Sequence, residues 1–199
     1  ITILTSSYAI TFLGNIYSYF QKALRIFERK SIHEKKISAD LQGHIILFGY
    51  HRFGPQIFKS LMKISKHIVV ADINPEIVDR VRSKGIHAVY GDAYDTELLD
   101  RLNIAQAKMI VTTFPARNRN HFLITKVREV NKKAKILAVA DDLAEALYLY
   151  EAGADYVVLP HYLSADYVSA MIEKVHKKKA NFKSFRTQHI RLLKKLARG

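Results

Sequence analysis

One stretch, His44 to Asp72, limits what this chain can fold into more than any other. An apolar run, His44 to Phe48, meets a turn made of Gly49, Tyr50, His51, Arg52, Phe53 and Gly54. A helical pattern follows from about Pro55 to Ser65, then a second apolar run, Lys66 to Val70, and an acid, Asp72. Strand, glycine turn, helix, strand, acid is the order a nucleotide-binding βαβ unit requires.

Each part of that unit has a physical task. Gly49 lets the backbone turn sharply at the strand end, and Gly54 lets the next helix pack close to the strand. Free N–H groups and the positive end of the helix dipole then face the turn, which suits a phosphate. His51 stands where the middle glycine of G-x-G-x-x-G belongs. Either its imidazole blocks a pyrophosphate and leaves room for a smaller ligand, or it swings aside or joins Arg52 as a phosphate contact. The plainer alternative is a turn that binds nothing and keeps its glycines for geometry. Asp72 lies where an acid accepts hydrogen bonds from a ribose diol and repels a 2′-phosphate. Its plainer alternative is a surface carboxylate capping the chain beside Ile73 and Asn74.

The same alternation continues along the chain. Apolar runs at 44–49, 67–72, 86–90, 108–113, 135–140 and 155–159 read as strands, with helices at about 54–65, 75–84, 95–103, 118–131 and 142–152. Asn74 before Pro75 is a helix start, and Gly85 and Gly153 are helix stops. Near-continuous apolar strands joined by helices predict an α/β fold with a parallel sheet covered on both faces. In such sheets the carboxyl ends of the strands line the ligand crevice. Gly91, Asp92 and Ala93 follow the third strand, and Thr112 and Thr113 end the fourth. Asp92 is placed to reach a ribose or adenine edge, and an ordinary strand-to-helix cap explains each of these residues equally well.

The two ends of the chain differ from this middle. Ile1 to Tyr19 has no charged residue, and Tyr17, Tyr19 and Phe20 are followed by Lys22, Arg25, Arg29 and Lys30. Aromatics followed by cations mark a helix leaving a bilayer on its cytoplasmic side. A soluble amphipathic helix with Ile16, Phe20, Ala23 and Phe27 on one face is the alternative. The chain opens on Ile1 without a signal peptide, so a piece of a longer protein is expected. Residues 31–43 read as a linker. Ser164 to Val175 reads as a helix with an N-cap, and a basic tail follows in which Ile190, Leu192, Leu193 and Leu196 can share a face. The net charge of +14 calls for an anionic neighbour, either nucleic acid, a membrane surface or an acidic partner.

The search for catalysis yields little. There is no cysteine. The nine histidines show no metal-ligand spacing, and neither G-x-S-x-G nor a Walker lysine is present. Asp141 and Asp142 sit between a strand and a helix, where acids favour the helix start. Leu147, Tyr148 and Tyr150 read as core or dimer surface. No residue set for hydride or acyl chemistry stands out, so a non-enzyme without a metal is expected.

Together these residues resemble the regulator-of-potassium-conductance (RCK) family, also called the KTN or TrkA-N domain. The resemblance covers about Gly43 to His161. It rests on the glycine turn, on Val69 to Glu76, on Tyr90 to Ala93, and on Leu98 and Leu99 leading to Ala107. Tyr17 to Lys30 looks like the exit of the last membrane helix in Kef-like monovalent cation:proton antiporters, which carry this domain on a cytosolic C-terminus.

The resemblance implies a Rossmann-like doubly wound sheet of order 3-2-1-4-5-6, a homodimer, and a ligand such as AMP, ADP, ATP or NAD(H). The ligand would sit between Gly49, Gly54, Asp72 and Asp92. His51 departs from the pattern and favours AMP over a dinucleotide. The expected organisation is a membrane-exit segment at 1–30, a linker at 31–43, a nucleotide-binding domain at 44–163 and a dimerisation helix with basic tail at 164–199. The expected setting is the cytoplasmic side of the cell membrane. The expected function is regulation of the transport domain of the same polypeptide, with an anionic membrane surface as a further partner and no nucleic acid. The rivals are a potassium channel or uptake subunit and a soluble NAD-dependent oxidoreductase.

Overall fold

The computed structural model describes residues 41–197. The expected membrane-exit segment and most of the linker lie outside the described residues. Among the described residues, no helix is long and apolar enough to cross a membrane.

Six strands form one parallel sheet: β1 (Ile45–Phe48), β2 (Ile68–Asp72), β3 (Ala88–Tyr90), β4 (Met109–Thr112), β5 (Lys135–Val139) and β6 (Tyr156–Val158). Their order is β3-β2-β1-β4-β5-β6, the doubly wound arrangement. Helices alternate with them: α1 (Gly54–Leu61), α2 (Pro75–Arg82), α3 (Thr96–Arg101), α4 (Arg117–Val130) and α5 (Leu143–Glu151). Two more, α6 (Pro160–His176) and α7 (Phe182–Ala197), follow the sheet.

β1 lies at the centre because all four of its residues are buried. Successive side chains point to opposite faces of a strand, so a strand covered on both faces must be apolar at every position. Ile45 and Leu47 pack with Phe58 and Leu61 of α1 and with Val78 and Val81 of α2. Ile46 and Phe48 face the other layer and are equally buried. Burying each such side chain contributes about 1.5–3 kcal/mol. Register follows from the parallel pairing of Leu47 with Val70 on one side and Val111 on the other. The chain reverses its direction of progress across the sheet between β1 and β4, and there the loops after the two strands splay apart.

Most boundaries fall within a few residues of those read from sequence, and one start differs by more. The helix expected to begin at Ser164 begins at Pro160, with Leu159 as its N-cap. Proline has its φ fixed in the helical range and lacks only an N–H that a first turn leaves unused, so Pro160 opens the helix and Ser164 lies inside it. α6 contains no buried residue. The Leu147, Tyr148 and Tyr150 stripe is not core. Leu147 and Tyr150 are exposed, and the Tyr148 ring stacks on His121 at 4.2 Å with the Arg117 guanidinium 4.7 Å from its centroid.

Candidate functional site

The glycine turn is held by contacts that only glycine permits. Gly49 adopts φ +90°, and a Cβ there would stand 2.5 Å from the Thr113 hydroxyl oxygen. A Cβ on Gly54 would stand 2.5 Å from the Gly49 carbonyl oxygen. The Thr113 hydroxyl donates to the carbonyl of Gly49 at 3.0 Å and lies 3.3 Å from that of Phe48, so it ties β4 to the end of β1. Asp72 completes the clamp. Its Oδ2 accepts from the Tyr50 N–H at 2.7 Å, and its Oδ1 from the Asn74 N–H at 2.9 Å. Asp72, the last residue of β2, is thus a buried and not a surface carboxylate, which caps the chain at Asn74 and also holds the turn after β1. Each carboxylate oxygen keeps a second lone pair for another donor.

Above this clamp lies an open cleft of about 680 Å³ at the carboxyl rim of the sheet. Such a volume falls within the ~300–1,000 Å³ typical of small-molecule sites. Eleven of the thirteen residues singled out in the sequence line it: Gly49, His51, Arg52, Phe53, Asp72, Ile73, Asn74, Gly91, Asp92, Ala93 and Thr113. Tyr50 and Gly54 do not. Tyr50 turns inward, its ring edge-on to Phe58 at 5.6 Å, and burial pushes its phenol above the ordinary value. Gly54 is packed under the turn. His51 and Arg52 are exposed at the mouth.

Residues that the sequence reading did not place at the ligand close the far wall: Phe114, Pro115, Arg119, Val139, Pro160 and His161, together with Asp141, which it read as an acid at a helix start. Arg119 is the most informative. Its Nη2 donates to Asp92 Oδ2 at 3.2 Å, and its Nε lies 2.9 Å from Oδ1. The guanidinium also sits 5.6 Å from the Tyr94 ring centroid and 5.8 Å from that of Phe114. A signal for it was present in the sequence. Arg117 and Arg119 occupy the first turn of α4, where a helix dipole favours acids and disfavours cations.

The starts of α1 to α6 divide into two groups. α2, α3 and α5 are capped by Asn74, Asp95 and Asp142, each accepting from a first-turn N–H, and each carries a glutamate in its first turn. α1, α4 and α6 have no side-chain cap and no first-turn acid. All three uncapped starts border the cleft, through Phe53, Pro115 and Pro160. Uncapped N–H groups at a helix start satisfy an anion as readily as they satisfy water. The cleft therefore pairs a carboxylate wall, Asp72 and Asp92, with a wall built from the uncapped starts of α1 and α4 and from Arg119.

Comparison with known proteins agrees with this geometry. The TrkA-N domain model matches residues 45–160. The chain belongs to the TrkA-N domain family. Among TrkA-N relatives, the putative cation/proton antiporter YbaL of Escherichia coli K12 is 30% identical over 126 residues, covering 63% of this chain and 23% of YbaL. The glutathione-regulated potassium-efflux protein KefC of Escherichia coli O139:H28 is 27% identical over 135 residues, covering 66% of this chain and 22% of KefC. The chain thus spans about a quarter of the length of these relatives. The crystal structure of the YbaL TrkA-N domain superposes with a TM-score of 0.63 at 27% identity, covering 66% of this chain and 98% of that domain. The GsuK channel, in a structure bound to ADP, superposes with a TM-score of 0.56 at 26% identity, covering 79% of this chain and 43% of that one. GsuK has also been solved bound to NAD.

Proposed function

We propose that this TrkA-N domain is the nucleotide-sensing part of a monovalent cation:proton antiporter and that its ligand is an adenine mononucleotide, AMP first. The observation that carries the proposal is the pairing in one cleft of uncapped helix starts with Asp72 and Asp92. The phosphate would lie against the first turns of α1 and α4, with Arg119 and Arg52 as counter-charges. The ribose diol would donate to the free lone pairs of Asp72, and Ile73 and Ala93 would supply the apolar floor. His51 occupies the approach that a pyrophosphate needs, which favours one phosphate over a dinucleotide. ADP and NAD in GsuK, and the antiporter names of YbaL and KefC, support a nucleotide sensor on a transport protein. No catalytic role is assigned to any side chain of the cleft.

Regulation requires that the nucleotide bind one arrangement of the domain more tightly than another. Arg119 offers such a difference, because it can hold Asp92 or the phosphate but must loosen the first to grip the second. In the proposed protein, residues 44–163 bind the nucleotide, 164–199 supply a helix that pairs with a second copy and a basic tail, and the transport domain of the same polypeptide spans the bilayer with this region on its cytoplasmic side. A second reading, a potassium channel or uptake subunit, is supported by the likeness to the GsuK channel. Potassium flux through the whole protein with and without an imposed proton gradient separates the two.

Isothermal calorimetry with AMP, ADP, ATP, NAD⁺ and NADH tests the ligand. AMP is expected to bind most tightly, and H51G is expected to raise NAD⁺ affinity while leaving AMP within about threefold, since a side chain is removed only from the pyrophosphate path. Heat from none of the five would overturn the nucleotide reading and leave a structural pairing module.

A further inference from the structure

The cleft takes no account of the last helix. α7 is a 16-residue helix, about 24 Å long at 1.5 Å per residue. At helical spacing Phe182, Phe185, Leu192, Leu193 and Leu196 fall within an arc of about 100° that also holds His189, and Ile190 lies roughly 60° outside it, beyond Arg186. Four of these are among the most open large apolar side chains of the molecule: Phe182 is 57% exposed, Leu192 52%, Leu193 50% and Leu196 48%. Lys183, Arg191 and Lys194 project from the opposite side. From Lys174 to Gly199 the sequence has lysine or arginine at ten positions and no acid.

We propose that α7 lies on the surface of an anionic lipid bilayer, its phenylalanine and leucine face in the headgroup–acyl boundary and its cations against the lipid phosphates. A helix with a broad apolar face and a polar face whose charges are all cationic has that preference. Two other occupants fit the same surface less well. A nucleic acid would neutralise the cations but leave five large apolar side chains in water. A second copy of α7 would cover the apolar face but bring the two cationic faces into one assembly without an acid to offset them. Two heptads are also fewer than the three to four that a coiled coil needs. The proposal does not depend on what the cleft binds.

The test uses the whole chain carrying F182W. The chain has no tryptophan, so the indole reports on α7 alone. With phosphatidylcholine vesicles holding about 30% phosphatidylglycerol, emission is expected to shift to the blue, with partitioning at least tenfold weaker for pure phosphatidylcholine or in roughly 0.5 M salt. Adding L193D and L196D is expected to abolish the shift and leave the melting temperature unchanged, because both positions are exposed. Failure of the indole to respond to anionic vesicles overturns the proposal, as does an equal, salt-indifferent response to neutral ones. A shift produced by duplex DNA but not by vesicles would assign the face to nucleic acid. A shift that grows with protein concentration alone would assign it to a second copy.

Discussion

The two rims of the sheet use their polar side chains to different extents. At the amino rim, side chains satisfy the main chain. The Arg128 guanidinium donates to the carbonyls of Gly153 at 2.8 Å and Ala134 at 2.7 Å and to Asp155 Oδ2 at 2.7 Å. Asn131 donates to the carbonyls of Ile104 and Ala107 and accepts from the Ala134 N–H. Burial pushes the Asp155 carboxyl up, but the Ile136 N–H, Lys135 and Arg128 outweigh it and hold the carboxyl below its ordinary value. At the carboxyl rim, Asn74, Asp95 and Asp142 cap three helix starts, but α1, α4 and α6 start without a side-chain partner, and the Arg119–Asp92 ion pair is part of the cleft wall. The amino rim spends its polar side chains on closing the fold. The carboxyl rim does so at α2, α3 and α5 and leaves donors open at the starts that border the cleft, which is the state a ligand site needs before its ligand arrives.

The largest effect that can break this contrast is on the amino rim. R128A is expected to lower unfolding free energy by about 2–3 kcal/mol, because two carbonyls and a carboxylate lose a charged donor at once. Urea denaturation measures it, and nucleotide affinity of the folded protein should hold within about twofold. A loss of binding equal to the loss of stability would mean that the rims are not separable.

On the carboxyl rim the order reverses. D72A is expected to weaken AMP binding about thirtyfold, since it removes an acceptor for the ribose and frees the Tyr50 and Asn74 N–H groups that hold the turn. R119A is expected to weaken it about tenfold while changing stability by less than ~0.5 kcal/mol, because a partly exposed ion pair contributes little to folding. Calorimetry and denaturation on the same two proteins separate these outcomes. An R119A protein that loses stability and keeps its affinity would move Arg119 to the structural group.

How much of this was legible in the sequence follows from the range of each interaction. The sheet order came from the resemblance, and the strands and most helices came from local apolar periods and caps. Asn74, for example, announces α2 within three residues. Eleven of the cleft residues were also named in advance, because strand ends and glycine turns are local features. What stayed hidden is long-range. The Asp72–Tyr50 bond joins residues far apart in the chain, and no spacing rule announces it. Arg119 reaches Asp92 across the reversal between β1 and β4. Its local clue, cations in a first turn, was legible as an energetic oddity but not as a direction. The start of α6 was missed because Ser164 is a good cap residue in isolation, while Pro160 opened the helix earlier.

An acid can be moved to the open rim as a further test. F53D would place a carboxylate at the start of α1, where Phe53 is helical and not extended like Asn74 and Asp142, Pro55 has no N–H and the Gln56 N–H already bonds the Phe53 carbonyl. The helix is expected to gain about 0.3–0.5 kcal/mol, from its dipole alone. The same carboxylate would repel a phosphate at that terminus, so AMP affinity is expected to fall about fivefold. Thermal melting without ligand and calorimetry with it should therefore move in opposite directions. If both rise, the start of α1 is not where the phosphate sits.

The smallest effect belongs to the amino rim and is read through pH. His44 is buried just before β1, and its Nε2 is 2.9 Å from the Leu102 carbonyl oxygen. That acceptor places the ring proton on Nε2, and Nδ1 has no partner. Burial lowers the His44 pKa below 6.5, the Leu102 carbonyl opposes this, and the charge of nearby His67 adds to the lowering. The folded state therefore takes up the second proton less readily than the unfolded chain. Above pH about 6.5 both states are neutral at this residue and stability does not depend on it. As pH falls below that value the unfolded chain binds the proton first, and stability is lost progressively down to the folded-state pKa. Melting temperature is thus expected to fall between pH 7.5 and 5.5. H44Q keeps a donor toward Leu102 and has nothing to titrate, so its curve should be flatter over the same range. Equal slopes in the two proteins would show that the acid sensitivity of the amino rim lies elsewhere.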